Sequence, residues 1–362
     1  MQRKQQITSF NSCKTSNFIT IQQPITQTFE FFEFTHLISQ GSPKILCKLW
    51  LVGNKKMQQL LQEFSKTLIF NDNSSFQQTT LLQKFKKIQY LKINDYNLEY
   101  IPKKLKALNN TTYRIKDFEI ELLPKTLTYL NINAKNLTDS CVLLYKLKTL
   151  ILNNCNNFTN KFIQQLPETI ENLTLNNLTI TNCKLDNLEN LISLQLKNGN
   201  IQTLLLENCN NLQTLNLSWN KISNIPDSIS QLSNLQTLIL FYNQISEIPD
   251  SISQLFNLQT LGLSYNQISE IPNSILQLFN LKFLDLSINQ ISKIPDSISQ
   301  LSNLKTLSLS YNQISEIPDS ISQLSNLQIL NLCWNNQISN IPNSISQLTN
   351  LQLISTGLEF LN

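Results

Sequence analysis

From Leu212 onward, leucine and isoleucine recur on a fixed schedule. Units open at Leu212, Leu235, Leu258, Leu281, Leu304 and Leu327, and a partial one at Leu351. The first five span 23 residues; the sixth spans 24, with Asn336 as the extra residue. Each reads LxxLxLxxNxISxIPxSIxxLxN. Leu261 and Leu263 alternate with Gly262 and Ser264. That period of two predicts a short strand with one buried face. The Ile271-Pro272 pair predicts an extended residue before a proline that opens a short helical turn. Ile275 and Leu278, three apart, share one side of that turn.

One unit cannot bury its apolar side alone, but a stack of units can. Side by side, the strands would lie parallel and about 4.8 Å apart. Leu261, Leu263, Ile268, Ile271, Ile275 and Leu278 would then fill a continuous core. The predicted fold class is α/β: a curved repeat solenoid with a concave parallel β-sheet and short helical or irregular convex segments. The asparagine after each strand forms a column: Asn220, Asn243, Asn266, Asn289, Asn312 and Asn335. An amide both donates and accepts, and backbone groups at a bend near a core need partners. The column predicts a structural ladder between adjacent turns.

The segment LQTLGLSYNQISEIPNSILQLFN (258–280) resembles the leucine-rich repeat. Its IPxSIxxLxN tail is similar to the 23-residue intracellular class of Ras-binding scaffold and plant Ras-group-related proteins. The resemblance covers 212–350. It implies a right-handed solenoid that binds a protein on its concave face, with a small GTPase or its effector as one candidate partner.

Before Leu212 the pattern persists with errors. Leu194/Leu196, Leu173/Leu175, Leu150/Leu152, Leu130/Ile132 and Leu91/Ile93 mark earlier strands. Cys155 takes the asparagine position, as in the cysteine-type variant of the family, and Tyr96 takes it after Ile93. The segment TTYRIKDFEIELLP fits a unit between 103 and 126 poorly. IQTLLLENCN (201–210) mimics a strand start, but its spacing assigns it to a return segment. Residues 88–211 therefore read as irregular repeats, 212–350 as regular ones, and 351–362 as a partial repeat or cap containing Leu358, Phe360 and Leu361. Residues 1–80 are poorly defined and partly disordered by composition. A helical cap is expected near 54–86, because Met57, Leu60, Leu61, Phe64 and Leu68 share a helical face.

Function must sit on positions the scaffold leaves free. One column runs Trp219, Tyr242, Tyr265, Ile288, Tyr311, Trp334. Five of these six are aromatic, although Ile288 shows that the unit does not require it. At strand spacing they would form a ridge about 25 Å long. Aromatic side chains with a polar edge serve as interface anchors. A neighbouring column of small residues (Ser218, Ser264, Ser287, Ser310) leaves room for a partner, and Phe241 interrupts it beside Ile239. Asp285 is the carboxylate of the inner columns. The protein-binding set is therefore Trp219, Phe241, Tyr242, Tyr265, Asp285, Ile288, Tyr311 and Trp334. An outer acidic rim, with Glu247, Glu270, Glu316, Asp250, Asp296 and Asp319, is expected to serve mainly as local capping of the turns.

Charge is sparse, at 14% of 362 residues, and the net charge is only +4. Residues 212–362 hold four Lys and nine Asp/Glu, a balance of −5, which leaves +9 for residues 1–211. No long basic run suggests nucleic acid. Seven scattered cysteines form no CxxC pair, and no apolar run has signal-peptide or membrane-spanning length. These features predict a cytoplasmic protein without disulfides or membrane association. The one histidine, His36, has no evident catalytic partner, and no metal spacing or Gly-rich phosphate loop occurs. No cofactor and no enzymatic activity are expected. The favoured reading is a protein-binding scaffold or adaptor in intracellular signalling. The alternatives are a regulatory part of an enzyme or GTPase-pathway complex, and a self-associating structural protein.

Overall fold

A computed structural model describes residues 20–21, 67–70, 89–92, 101–141, 146–185, 188–206 and 208–355. The chain divides into two units, residues 1–113 with 122–127, and 114–121 with 128–362.

In the first unit, β1 (Thr20–Ile21), β2 (Thr67–Phe70), β3 (Tyr90–Lys92) and the start of β4 (Ala107–Lys116) pair in parallel. Leu68 lies in β2, paired with Leu91, and not on the helical face expected for it. Thr20 and Ile21 likewise form a strand within a segment expected to be disordered. The rest of the expected 54–68 helix, Tyr96, His36 and the Leu358–Leu361 cap lie outside the described residues. Leu91, Leu105 and Leu108 are buried. The Thr126 hydroxyl donates to the Leu105 carbonyl at 2.6 Å, tying the loop before the next unit to this core.

The second unit is a curved solenoid whose strands run parallel. After the short helix α1 (Asp117–Ile120) come β5 (Tyr129–Asn136), β6 (Thr149–Asn153) and α2 (Asn160–Gln164). Then follow β7 (Asn172–Asn176), β8 (Asn182–Leu185), β9 (Ser193–Lys197) and β10 (Thr203–Leu206). The regular repeats supply β11 (Thr214–Asn216), β12 (Thr237–Ile239), β13 (Thr260–Gly262), β14 (Phe283–Asp285), β15 (Thr306–Ser308) and β16 (Ile329–Asn331). The last described strand is β17 (Leu353–Ser355). The register advances one repeat per strand: Leu238 faces Leu261, which faces Leu284, which faces Leu307.

β8 and β10 stand outside this sheet and pair only with each other among the described residues. The mimic at 201–210 is thus a return segment, and NCKL at 182–185 is its partner. From Asp227 onward the return segments are 3-10 turns instead, such as Asp250–Gln254 and Asp296–Gln300. Pro226, Pro249, Pro295 and Pro318 precede four of these turns at ψ 145–153°, giving an extended entry; the Ile275–Gln277 turn instead follows Ser274 at ψ −37°. Leu261, Leu263, Ile268, Ile271, Ile275 and Leu278 are all buried, so the repeat adds them to the shared core as expected.

Candidate protein-binding face

The asparagine column builds the turn on which the face rests. Asn266 Nδ2 donates to the carbonyl of Leu240 in the preceding repeat (3.0 Å) and of Leu263 in its own (2.9 Å). Its Oδ1 accepts the Ile245 N–H at 3.0 Å. Asn243, Asn289, Asn312 and Asn335 repeat this set one unit along, and Asn220 opens the series against Leu196 and Ile201. Each amide therefore satisfies backbone groups of two repeats, where an unmet group would be buried. Gly199 marks the start: a Cβ there would sit 2.8 Å from Asn220 Oδ1 and from the Leu178 carbonyl. Only a residue without a Cβ lets the first ladder amide reach its place.

A second asparagine column escaped sequence reasoning. Asn234, Asn257, Asn280, Asn303, Asn326 and Asn350 close the repeats, and each donates to a carbonyl of the preceding turn at 2.8–2.9 Å. The signal was present in the final N of the repeat pattern. These bonds are exposed, so they contribute less than the buried ladder.

The residue before each ladder asparagine takes a left-handed conformation. The φ values are 61° at Trp219, 53° at Tyr242, 56° at Tyr265, 53° at Ile288, 54° at Tyr311 and 59° at Trp334. Bulky side chains avoid this region, most of all a β-branched one such as Ile288. The conformation turns these side chains outward in a row. Trp219 stacks on Tyr242 with centroids 3.6 Å apart, and Tyr242 on Tyr265 at 3.7 Å. Tyr311 and Trp334 stack at 5.2 Å. The first three rings are closer together than their strands, as expected on the inner side of a curve. Trp219, Tyr265, Tyr311 and Trp334 remain 52%, 39%, 49% and 60% exposed. A hydrogen bond to Tyr265 holds the Tyr242 phenol above its ordinary pKa.

The serine column differs from expectation. Ser218, Ser264, Ser287 and Ser310 are buried rather than open to a partner. Phe241 does more than interrupt that column. A Cβ on Gly262 would lie 2.3 Å from its Cε1 and 2.5 Å from its Cζ, so the ring lies where a side chain on Gly262 would be. Asp285 is half-buried; its Oδ1 accepts both the N–H (3.0 Å) and the hydroxyl (2.6 Å) of Ser287. The rim aspartates Asp250, Asp296 and Asp319 each lie in the first turn of a 3-10 segment, where a negative charge favours the turn's start. Asp319 also accepts the hydroxyl of Ser344 in the next repeat at 2.7 Å, as Asp227 accepts that of Ser251 at 3.0 Å.

Nothing in this face resembles a reaction centre. Among the described residues, no three His, Cys, Asp or Glu side chains gather to hold a metal. Cys141, Cys155 and Cys183 are buried, and desolvation pushes each thiol up to about 12; Cys209 is pushed to about 11. Such thiols are inert near neutrality. A cavity of about 30 Å³ between β10 and the Asp227–Gln231 turn is lined mainly by leucine and isoleucine, with Pro226, Asn224 and Ser228, and has no titratable side chain. No described helix is long and apolar enough to cross a membrane.

The leucine-rich repeat region family matches residues 272–359, and the leucine rich repeat family matches 210–268 and 233–291. Comparison with curated proteins found no match. Among solved structures, a leucine-rich-repeat protein of Leptospira interrogans is 27% identical, covering 82% of this chain and 91% of its own, with a TM-score of 0.54. The internalin InlF of Listeria monocytogenes is 25% identical, covering 74% and 80%, with a TM-score of 0.57. The TLR13 chain of a TLR13–ssRNA13 complex is 22% identical, covering 82% of this chain and 51% of its own, with a TM-score of 0.59. These matches correct two expectations. Internalins such as InlF are secreted or cell-surface proteins, which overturns the cytoplasmic assignment drawn from cysteine usage and the N-terminal sequence. They also give no support to the Ras-binding subclass. What the repeats, the ladder and the matches share is one architecture: the chain is a leucine-rich-repeat-fold protein.

Proposed function

We propose that this protein binds a protein partner on the concave face of its regular repeats, with the aromatic row as anchor. Proteins of this fold generally act as protein-interaction scaffolds. The observation that carries the reading is the backbone of the row. Earlier repeats place Asn154, Asn177 and Asn198 in the left-handed position, where asparagine is at home. The regular repeats place Trp or Tyr there in five of six units, with Trp219, Tyr265, Tyr311 and Trp334 exposed and Tyr242 half-buried. Strain kept at an exposed position, together with a large amphipathic surface, is the pattern of a binding site.

The test is the double variant Tyr242→Ser, Tyr265→Ser, compared with wild type in partner capture from the native source and in urea unfolding. Loss of capture with an unchanged unfolding midpoint is the expected result. Undiminished capture by a folded double variant would remove the concave face from the function.

A further inference from the structure

The aromatic row has one break. Trp219, Tyr242 and Tyr265 form one stack and Tyr311 and Trp334 another, with Ile288 between them. Tyr265 and Tyr311 are two repeats apart, about 7–10 Å at the spacing of strands and rings. Ile288 is shorter than either ring. The break is therefore a slot walled by two exposed phenols and floored by a half-buried aliphatic side chain.

Three residues earlier on the same repeat stands Asp285. Its column reads Asn216, Ile239, Gly262, Asp285, Ser308, Asn331, so it is the one charged member. Strand pairing places it between Gly262 and Ser308, which offer no cation. Oδ1 is engaged by Ser287, while Oδ2 has no bond from a described residue. Lys282, on the same repeat, donates to Gln259 Oε1 at 2.9 Å. The carboxylate has no counterion among the described residues and keeps solvent access, so a cation from outside can pair with it.

We propose that this slot receives an arginine side chain from a basic partner segment. The proposal rests on the concave-face reading and specifies its chemistry. The aliphatic stem lies over Ile288 between Tyr265 and Tyr311, and the guanidinium pairs with Asp285 Oδ2. Three residues span at most about 10 Å, close to the reach of an extended arginine. Guanidinium adds cation–π attraction to stacking on aromatic faces and makes a charge-assisted pair with a carboxylate, neither of which a neutral or anionic group supplies. The balance of −5 over residues 212–362 favours the same sign of partner and disfavours a nucleic-acid strand.

The test uses the full chain with isoleucine methyl groups labelled for NMR. The probes are the peptide acetyl-Ala-Arg-Ala-amide, its citrulline analogue and adenosine monophosphate. The arginine peptide should give a saturable shift of the Ile288 methyl resonance, and citrulline should bind at least about tenfold more weakly. Asp285→Asn, which can keep an acceptor for Ser287, should weaken the arginine peptide about tenfold; Ile288→Tyr, which completes the row, should weaken it at least about tenfold in calorimetric titration. Should Ile288→Tyr fail to fold, Asp285→Asn decides alone. Absence of a saturable shift, equal binding of citrulline or the nucleotide, or full binding to Asp285→Asn would overturn the slot. Partner capture separates the two readings: a slot that fails while capture still depends on Tyr242 and Tyr265 leaves the broader face standing. Arginine binding at Ile288, with capture indifferent to those tyrosines, would overturn the broader reading alone.

Discussion

The irregular repeats of residues 128–211 and the regular ones of 212–350 build the same strand-and-return unit with asparagine one place apart. In the early repeats, asparagine takes the left-handed position, at Asn154, Asn177 and Asn198, and the next residue is Cys155 or Leu178 in the core, or the half-buried Gly199. In the later repeats the asparagine moves inward to become the buried ladder, and Trp, Tyr or Ile takes the left-handed position. The early face carries amides that bond along it, Asn176 to Asn153 at 2.8 Å and Asn153 to Asn131 at 3.3 Å. The late face carries stacked rings. Moving one residue type by one position frees an exposed column for large side chains, at the cost of backbone strain in each repeat. The early half relaxes its backbone and spends its outer face on itself. The later half secures its turns from inside and keeps an unspent surface.

Four experiments probe that difference, from the largest expected effect downward. The early half alone holds Cys141, Cys155, Cys183 and Cys209. Desolvation raises the folded pKa of Cys155 and Cys183 from 9.0 to about 12, so the folded state keeps protons that the unfolded state releases. Their stabilisation is full below pH 9 and is lost as pH rises toward 12, by about 1.4 kcal/mol per pH unit for each thiol. Hydrogen exchange followed from pH 8 to 10.5 should show protection failing first in 128–211; simultaneous loss in both halves would count against a thiol origin.

Next is Asn266→Ala, which strips the acceptor from the Ile245 N–H and one of two asparagine donors from the Leu240 and Leu263 carbonyls. A loss of about 3 kcal/mol is expected in urea unfolding, against about 1 kcal/mol for Asn257→Ala in the exposed column. Equal costs would mean that the buried ladder is no better than the outer one. Gly262→Ala forces the Phe241 ring aside and should cost about 1–2 kcal/mol. Phe241→Ser in the same chain, which restores the residue of neighbouring repeats, should remove most of that penalty in a double-mutant cycle. Smallest is Ile288→Asn, which copies the early half's choice. Relief of a β-branched residue at φ 53° should raise stability by up to about 1 kcal/mol. A lower midpoint would show that Ile288 contributes more by covering the core than it loses by strain.

Much of this was legible in advance. The strands, their register and the ladder role of Asn220 through Asn335 follow from spacing, because an amide between a strand and an apolar turn has few other uses. The closing asparagines could have been read the same way, since they recur as faithfully. Buried Ser264 and Ser287 were misplaced because period two was extended past Gly262, where β13 ends. Leu68 was misplaced because its apolar neighbours suit a helical face, whereas pairing with Leu91 sets it in a strand. The Asp227 and Asp319 bonds to later serines join residues 24 and 25 apart, a distance local capping rules do not see.

Sequence alone determined the repeat, its core and the parallel stack, because a period of two and a fixed 23-residue step admit one way to bury the leucines. Only the tertiary structure decided which exposed residues meet. The left-handed φ at Tyr242 and Tyr265, the ring of Phe241 over Gly262, and the pairing of β8 with β10 all arise between neighbours roughly 20 residues apart. No local pattern encodes them, since each depends on what the next repeat presses against it.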